Sequence, residues 1–239
     1  MDLTVVTPSQ WLAKTARSSS LFQNTAIKVI GNGIDPHIYQ NHSSELARKI
    51  LNLPTDKKII LFGALDSTQD KRKGFSLLLA ALKSLQQLES SDAVELVIFG
   101  GSAPYPPIDF GFRANYIGKF NDDVSLSLLY AAADVFVAPS IQDNLPNTIS
   151  ESMFCGTPCV AFGIGGIPDM IEQQQNGYLA QPFSPPDLAK GIHWILADRL
   201  RHQEISSKSR DKALSQFSLD LQAKKYLRVF NDLYSKLSL

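Results

Sequence analysis

The sequence predicts an α/β domain: a parallel sheet with helices on both faces, closed by a helical C-terminal tail. Three observations carry this expectation. Short runs rich in β-branched and aromatic residues alternate with segments of helical period, the order of a parallel sheet built through crossover helices. The runs are continuously apolar rather than alternating, which suits strands buried on both faces. From Ser184 onward no such run occurs.

In chain order, Ala26 to Ile30, Lys58 to Gly63, Val94 to Phe99, Asp134 to Ala138 and Cys159 to Phe162 read as strands. Between them Phe75, Leu78, Leu79, Leu82 and Leu85 recur at helical spacing. So do Val124, Leu126, Leu128 and Leu129, leading into Ala131, Ala132 and Ala133. The tail opens at Ser184-Pro185-Pro186-Asp187, with a capping serine, proline at the first helical position and an early acid. Two further helices are expected, over roughly 199–215 and 219–237. Ser218 is placed to cap the last, whose Leu219, Ala223, Tyr226, Leu227, Phe230, Leu233 and Tyr234 form an apolar stripe.

Composition narrows the function classes. The 239 residues hold 23 Lys+Arg against 23 Asp+Glu, so bulk electrostatics do not drive nucleic-acid binding. Hydrophobic content of 44% with 19% charged residues fits a folded globular chain and excludes disorder. Cys155 and Cys159 cannot frame a disulfide scaffold or a four-ligand zinc site, and they read as buried inert thiols. His37, His42, His193 and His202 are scattered and read as surface residues, and Trp11 and Trp194 as packing. No apolar run reaches the ~18 residues of a spanning helix, and the first residues lack a secretory signal pattern. The default compartment is a reducing cytosol.

Three loops carry the candidate chemistry. After the strand ending at Ala138, a polar loop runs through Asp143, Asn144 and Leu145 to a short helix starting near Asn147, with Glu151 one turn in. Loops after strand C-termini form the ligand crevice of a parallel sheet. The free amides of Asn147 and Thr148 at the helix start suit a phosphate. Taken alone, Asp143 reads more simply as an N-cap or turn residue, and Glu151 as a solvated one. The second loop sets Lys71, Arg72 and Lys73 just before a helix, where the macrodipole disfavours cations unless an anion sits between; a solvated basic loop is the plainer alternative. The third, Gly163-Ile164-Gly165-Gly166, lets backbone approach a ligand closely, or makes a tight turn. Neither a G-x-G-x-x-G run nor a Walker A loop is present.

Together these segments resemble the retaining group 1 (family 4) glycosyltransferases, in the C-terminal, nucleotide-sugar-binding, Rossmann-like half of the GT-B fold. The resemblance is ordered along the chain. It starts at Thr7-Pro8-Ser9, continues through Val29 to Asp35, Arg72 to Phe75 and Leu96 to Gly100, and takes in Tyr116-Ile117-Gly118 and Tyr130 to Asp134. It then covers Pro139-Ser140, Asp143 to Glu151, Gly156-Thr157-Pro158, Gly165 to Asp169 and Asn176 to Leu179. Coverage is dense from about 26 to 180. The resemblance divides the chain into residues 1–25, a remnant of the preceding half or interdomain segment, and 26–239, the donor domain with a helical tail from about 184.

The resemblance implies roles residue by residue. Lys73, with Arg72, contacts the donor diphosphate, and Asp143 is the first acid of a paired-acid motif, at the reacting centre. Glu151 is the second acid and holds the ribose. Gly63, Asn144, Leu145, Asn147 and Thr148 hold phosphate or sugar, and Tyr116, Gly118 and Lys119 lie near the base. No metal or other cofactor is implied; the substrate is a nucleotide-diphosphate sugar, UDP favoured over GDP. The partners implied are an N-terminal acceptor domain and a glycan or lipid-linked acceptor, with any membrane contact belonging to that half or to the lipid. Two positions depart from the family pattern. Asp143 stands where Glu is common, and Ala64 where many relatives carry Arg. The expected function is retaining sugar transfer, inactive without the N-terminal half; a non-catalytic nucleotide-sugar-binding module is the alternative. A phosphorylase- or epimerase-like reading lacks a placed cofactor lysine and a catalytic histidine pair.

Overall fold

The computed structural model describes residues 3–63, 70–104 and 106–237. Chain order begins with β1 (Thr4–Thr7), α1 (Gln10–Arg17), β2 (Ala26–Val29) and α2 (Ser44–Ile50). It continues with β3 (Lys58–Gly63), a 3₁₀ turn (Lys71–Lys73), α3 (Phe75–Leu85), β4 (Val94–Phe99), β5 (Arg113–Gly118) and α4 (Asp123–Ala132). Next come β6 (Val135–Ala138), α5 (Asn147–Phe154), β7 (Cys159–Phe162), α6 (Ile167–Met170) and β8 (Gly177–Ala180). The tail is helical: α7 (Pro185–Leu196), α8 (Arg199–Gln216) and α9 (Leu219–Leu237).

Six parallel strands form one sheet in the order β5-β4-β3-β6-β7-β8. The chain runs outward from β3 through β4 to β5, then returns to the other side of β3 and runs out through β6, β7 and β8. This is the Rossmann-like order, and its reversal lies between β3 and β6, where such sheets open a crevice at their C-terminal ends. Alternation divides the core. Ile59 and Leu61 of β3 face one cluster, with residues of α2, α4, α5 and α8. Ile60 and Phe62 face the other, with α3 and α7. Both faces are covered, which is why these strands read as unbroken apolar runs. On α3, Leu78, Ala81, Leu82 and Leu85 are fully buried, each leucine worth about 1.5–3 kcal/mol of transfer free energy.

The Ala26 strand departs from the expected single sheet. It pairs in parallel with β1, in a separate two-stranded ribbon bridged by α1. Half-buried Thr4 and exposed Ala26 and Lys28 leave that ribbon only partly covered, and residues on both sides of position 25 share it. β1, β5 and β8 escape the sequence reading because they are short, polar or at an edge. The three tail helices follow expectation, and Ser184 caps α7 through the Asp187 amide; at the start of α9 it is the Ser218 backbone carbonyl that receives the Gln222 amide. α9 exposes Leu227, Phe230 and Tyr234. His193 and His202 are half-buried and hydrogen-bonded rather than free on the surface. His193 Nδ1 meets Glu89 at 3.0 Å, and His202 Nε2 meets the Asp134 carbonyl at 2.7 Å.

Candidate active site at the sheet reversal

The loops leaving β3 and β6 come together at the reversal point. Asp70 caps the 3₁₀ turn by accepting the Arg72 amide at 2.9 Å. Gly74 ends the turn at φ +69°, and a Cβ there would stand 1.8 Å from the Pro139 carbonyl oxygen. Only glycine lets the turn close onto the β6 loop. The Ile141 amide completes the joint by donating to the Arg72 carbonyl at 2.8 Å.

This joint brings Lys73 to Asp143. The ammonium donates to Asp143 Oδ2 at 3.0 Å, with the two side chains 28% and 15% exposed. Asp143 Oδ1 accepts the Asn144 amide at 3.0 Å, so the carboxylate is anchored on its own loop. Arg72 behaves differently. It forks back onto Asp70, with Nε and a terminal nitrogen at 3.1 and 2.9 Å. Asp70 is thereby held below the usual carboxylate range. The position after Gly63, Ala64, lies outside the described residues.

Two depressions meet at Lys73. A narrow one is lined by Gly63, Lys73, Ser140 and Thr148. A broader cleft of about 290 Å³ is lined by Trp11, Arg72, Lys73, Gln142, Asp143 and Asn144. At the narrow one stands the start of α5. Its first turn holds no acid and, among the described residues, no side chain caps it. Its leading amides therefore point outward as an anion-binding end. The Asn147 side chain accepts from Asn32 at 2.9 Å, and Leu145 is buried.

Glu151 sits apart from Asp143. Its Oε2 accepts the Tyr130 hydroxyl at 2.9 Å. Burial first, then the Asp123 charge, pushes its carboxyl up to about 7, against the opposing Tyr130 bond. Burial, reinforced by Glu151, raises the hydroxyls of Tyr130 and Tyr39. The two acids thus occupy different surroundings, one ion-paired and one held against phenols.

The third loop packs tightly against the first. A Cβ on Gly165 would meet the Asp143 carbonyl oxygen at 1.9 Å, and one on Gly166 the Asn144 carbonyl oxygen at 1.8 Å. The close approach that these glycines permit is to the neighbouring loop's backbone. Ser9 locks the same place, donating to Asn144 Oδ1 at 2.5 Å while capping α1. The Gln10 amide reaches Asp169 at 2.7 Å. Tyr116 turns its ring onto Phe110, in the core cluster on the opposite face of the sheet from Tyr130, and its buried hydroxyl finds no partner among the described residues. Gly118 ends β5 beside Lys119. Sequence reasoning missed Trp11, Tyr130 and Ser9. Trp11 lies two residues beyond the Thr7-Pro8-Ser9 segment and Tyr130 opens another resembling one, but their contacts are tertiary.

The sequence profile of the family described as glycosyl transferases group 1 matches residues 56–198, more than half of the chain. The chain belongs to that family. An uncharacterized glycosyltransferase of Methanocaldococcus jannaschii is 30% identical over 237 residues, covering 95% of this chain and 59% of the relative. The fold matches sucrose-phosphate synthase from Thermosynechococcus elongatus with a TM-score of 0.82 at 23% identity, over 98% of this chain and 59% of that one. It also matches an Anabaena protein solved with UDP-glucose, with a TM-score of 0.76 at 23% identity, over 96% of this chain and 64% of that one. This glycosyltransferase chain therefore spans about three fifths of the length of these relatives. Among its described residues no helix is long and apolar enough to cross a membrane. No group of three or more His, Cys, Asp or Glu among them could hold a metal ion.

Proposed function

We propose that this chain is the donor-binding half of a retaining glycosyltransferase that moves a sugar from a nucleotide diphosphate to a glycan or lipid-linked acceptor in the cytoplasm. The observation that carries the reading is the Lys73–Asp143 pair, at the sheet reversal beside the open start of α5. The diphosphate lies between the Lys73 ammonium and the amides of Asn147 and Thr148. Both are donors fixed before the reaction, where charge grows as the phosphate leaves. Asp143 faces the sugar and steadies positive charge at its anomeric carbon. Glu151 takes the ribose hydroxyls, and the base lies toward Gly118 and Lys119. Arg72 reaches the donor only by opening its fork on Asp70. Support for UDP comes from the Anabaena neighbour. The acceptor site belongs to a second half, in keeping with the greater length of the relatives.

Thermal unfolding with UDP, GDP and ADP, each with and without magnesium, tests this. A nucleotide at 100 times its dissociation constant adds about 2.7 kcal/mol, which raises the midpoint by roughly 5–10 °C for a chain of this size. UDP is expected to give the largest shift, without need of magnesium. No shift with any nucleotide refutes donor binding. Transfer by the isolated chain at about 1 per second or faster refutes the need for a second half. Donor binding without transfer even when the second half is supplied leaves the non-catalytic module.

A further inference from the structure

The chain holds two tryptophans, and they stand in opposite circumstances. Trp194 is packed, its ring 5.9 Å from Tyr178 with the Arg201 guanidinium 4.6 Å above it. Trp11 is 37% exposed and forms one wall of the 290 Å³ cleft that contains Lys73 and Asp143. It is also held firmly. The two residues before it bond to Asn144, on the loop after β6, and to Asp169, on α6. Its place relative to the Asp143 loop is fixed by the same contacts that fix that loop.

Position along the sheet indicates what meets it. β5 and β6 are separated by three strand spacings, about 14 Å. A donor whose base lies at Gly118 and whose diphosphate lies at Lys73 carries its sugar onward, to the β6–β7 side. We propose that Trp11 is the apolar wall of the sugar subsite and stacks on the C–H face of the donor's pyranose ring. Gln142, Asp143 and Asn144 then meet the ring's hydroxyls. This rests on the donor-site reading above. The chemistry favours a pyranose, which has an apolar face rimmed by hydroxyls. An aromatic wall bordered by amides and a carboxylate matches it on both counts. A cationic ligand would meet Lys73 and Arg72, and a wholly apolar one would leave the polar rim unpaired.

The test compares nucleotides with their glucose esters. Calorimetry is run with UDP, GDP and ADP and with UDP-, GDP- and ADP-glucose on the native chain, W11A and W11F. Emission is followed in W194F, where Trp11 is the remaining indole. W11A is expected to weaken the glucose ester about tenfold and leave the bare nucleotide within twofold, with W11F retaining most of the affinity. The W194F emission should respond to the ester more than to the nucleotide. Equal loss for both ligands, or loss for neither, overturns the proposal while the donor site stands. A W194F response to methyl glucoside added with the nucleotide, and none to the ester, assigns the wall to the acceptor and also overturns it. Binding of no nucleotide by the native chain removes the donor site and this inference together. Unfolding midpoints of each variant check that the exposed position leaves the fold intact.

Discussion

Replacing Glu151 with Gln should make this protein more stable at neutral and alkaline pH. The carboxyl is raised from 4.5 to about 7 in the fold. Burial favours the neutral acid, so the folded chain keeps its proton to a higher pH than the unfolded chain does. The stability this group contributes is complete below the unfolded value of 4.5 and is lost as pH rises through about 7. At about 1.4 kcal/mol per pKa unit, ionisation in the native fold costs about 3 kcal/mol. Glutamine keeps the shape and still accepts from Tyr130, but carries no charge at any pH. Urea unfolding at pH 5, 6, 7 and 8 measures the difference. Glu151→Gln and native curves should differ by only about 1 kcal/mol at pH 5 and diverge until pH 7–8. There the variant gains up to about 3 kcal/mol, or roughly 6–12 °C in midpoint for a chain of this length. Parallel pH curves would refute the argument that burial strains this carboxyl. If Glu151 grips the ribose, the same variant loses about tenfold in nucleotide affinity, so stability and binding move in opposite directions.

Other perturbations separate the parts of the site. Lys73→Ala should weaken nucleotide binding at least tenfold by calorimetry and lower stability by about 1 kcal/mol, because the pair with Asp143 is only part-buried. Arg72→Ala should cost less affinity than Lys73→Ala, since its guanidinium is engaged by Asp70. Gly74→Ala should destabilise by more than about 2 kcal/mol in urea unfolding, from the positive φ and the collision with Pro139. Ser9→Ala should cost about 1–2 kcal/mol, removing the α1 cap and the tie to Asn144 together. Burial pushes both thiols up to about 12. A thiol reagent at pH 8 should therefore label neither Cys155 nor Cys159 until the chain is unfolded.

Much of the architecture was legible because it depends on local pattern. The buried strands from Lys58, Val94, Asp134 and Cys159 announce themselves as apolar runs, and α8 and α9 fall within a residue or so of their expected spans. β1 and β5 were not legible. Thr4–Thr7 and Arg113–Gly118 owe their strand state to pairing with distant partners, which outweighs weak intrinsic preference. Within the site, Lys73, Asp143, Asn147 and Thr148 could be chosen because each sits after a strand or at a helix start.

By itself, the sequence determined the types of the buried strands and the long helices, the two covered faces and the residues available for anion chemistry, since these follow from period, caps and residue type. Tertiary structure alone decided what each did. It closed Gly74 onto Pro139 and so paired Lys73 with Asp143, folded Arg72 onto Asp70, and set the Gly165–Gly166 pair against the Asp143 loop. It also put Glu151 against Tyr130 and left Trp11 open to the cleft. Each of these joins residues far apart in the chain or selects one rotamer among several. A side chain's charge state and accessibility come from the dielectric and packing around it, which the linear order of residues does not encode.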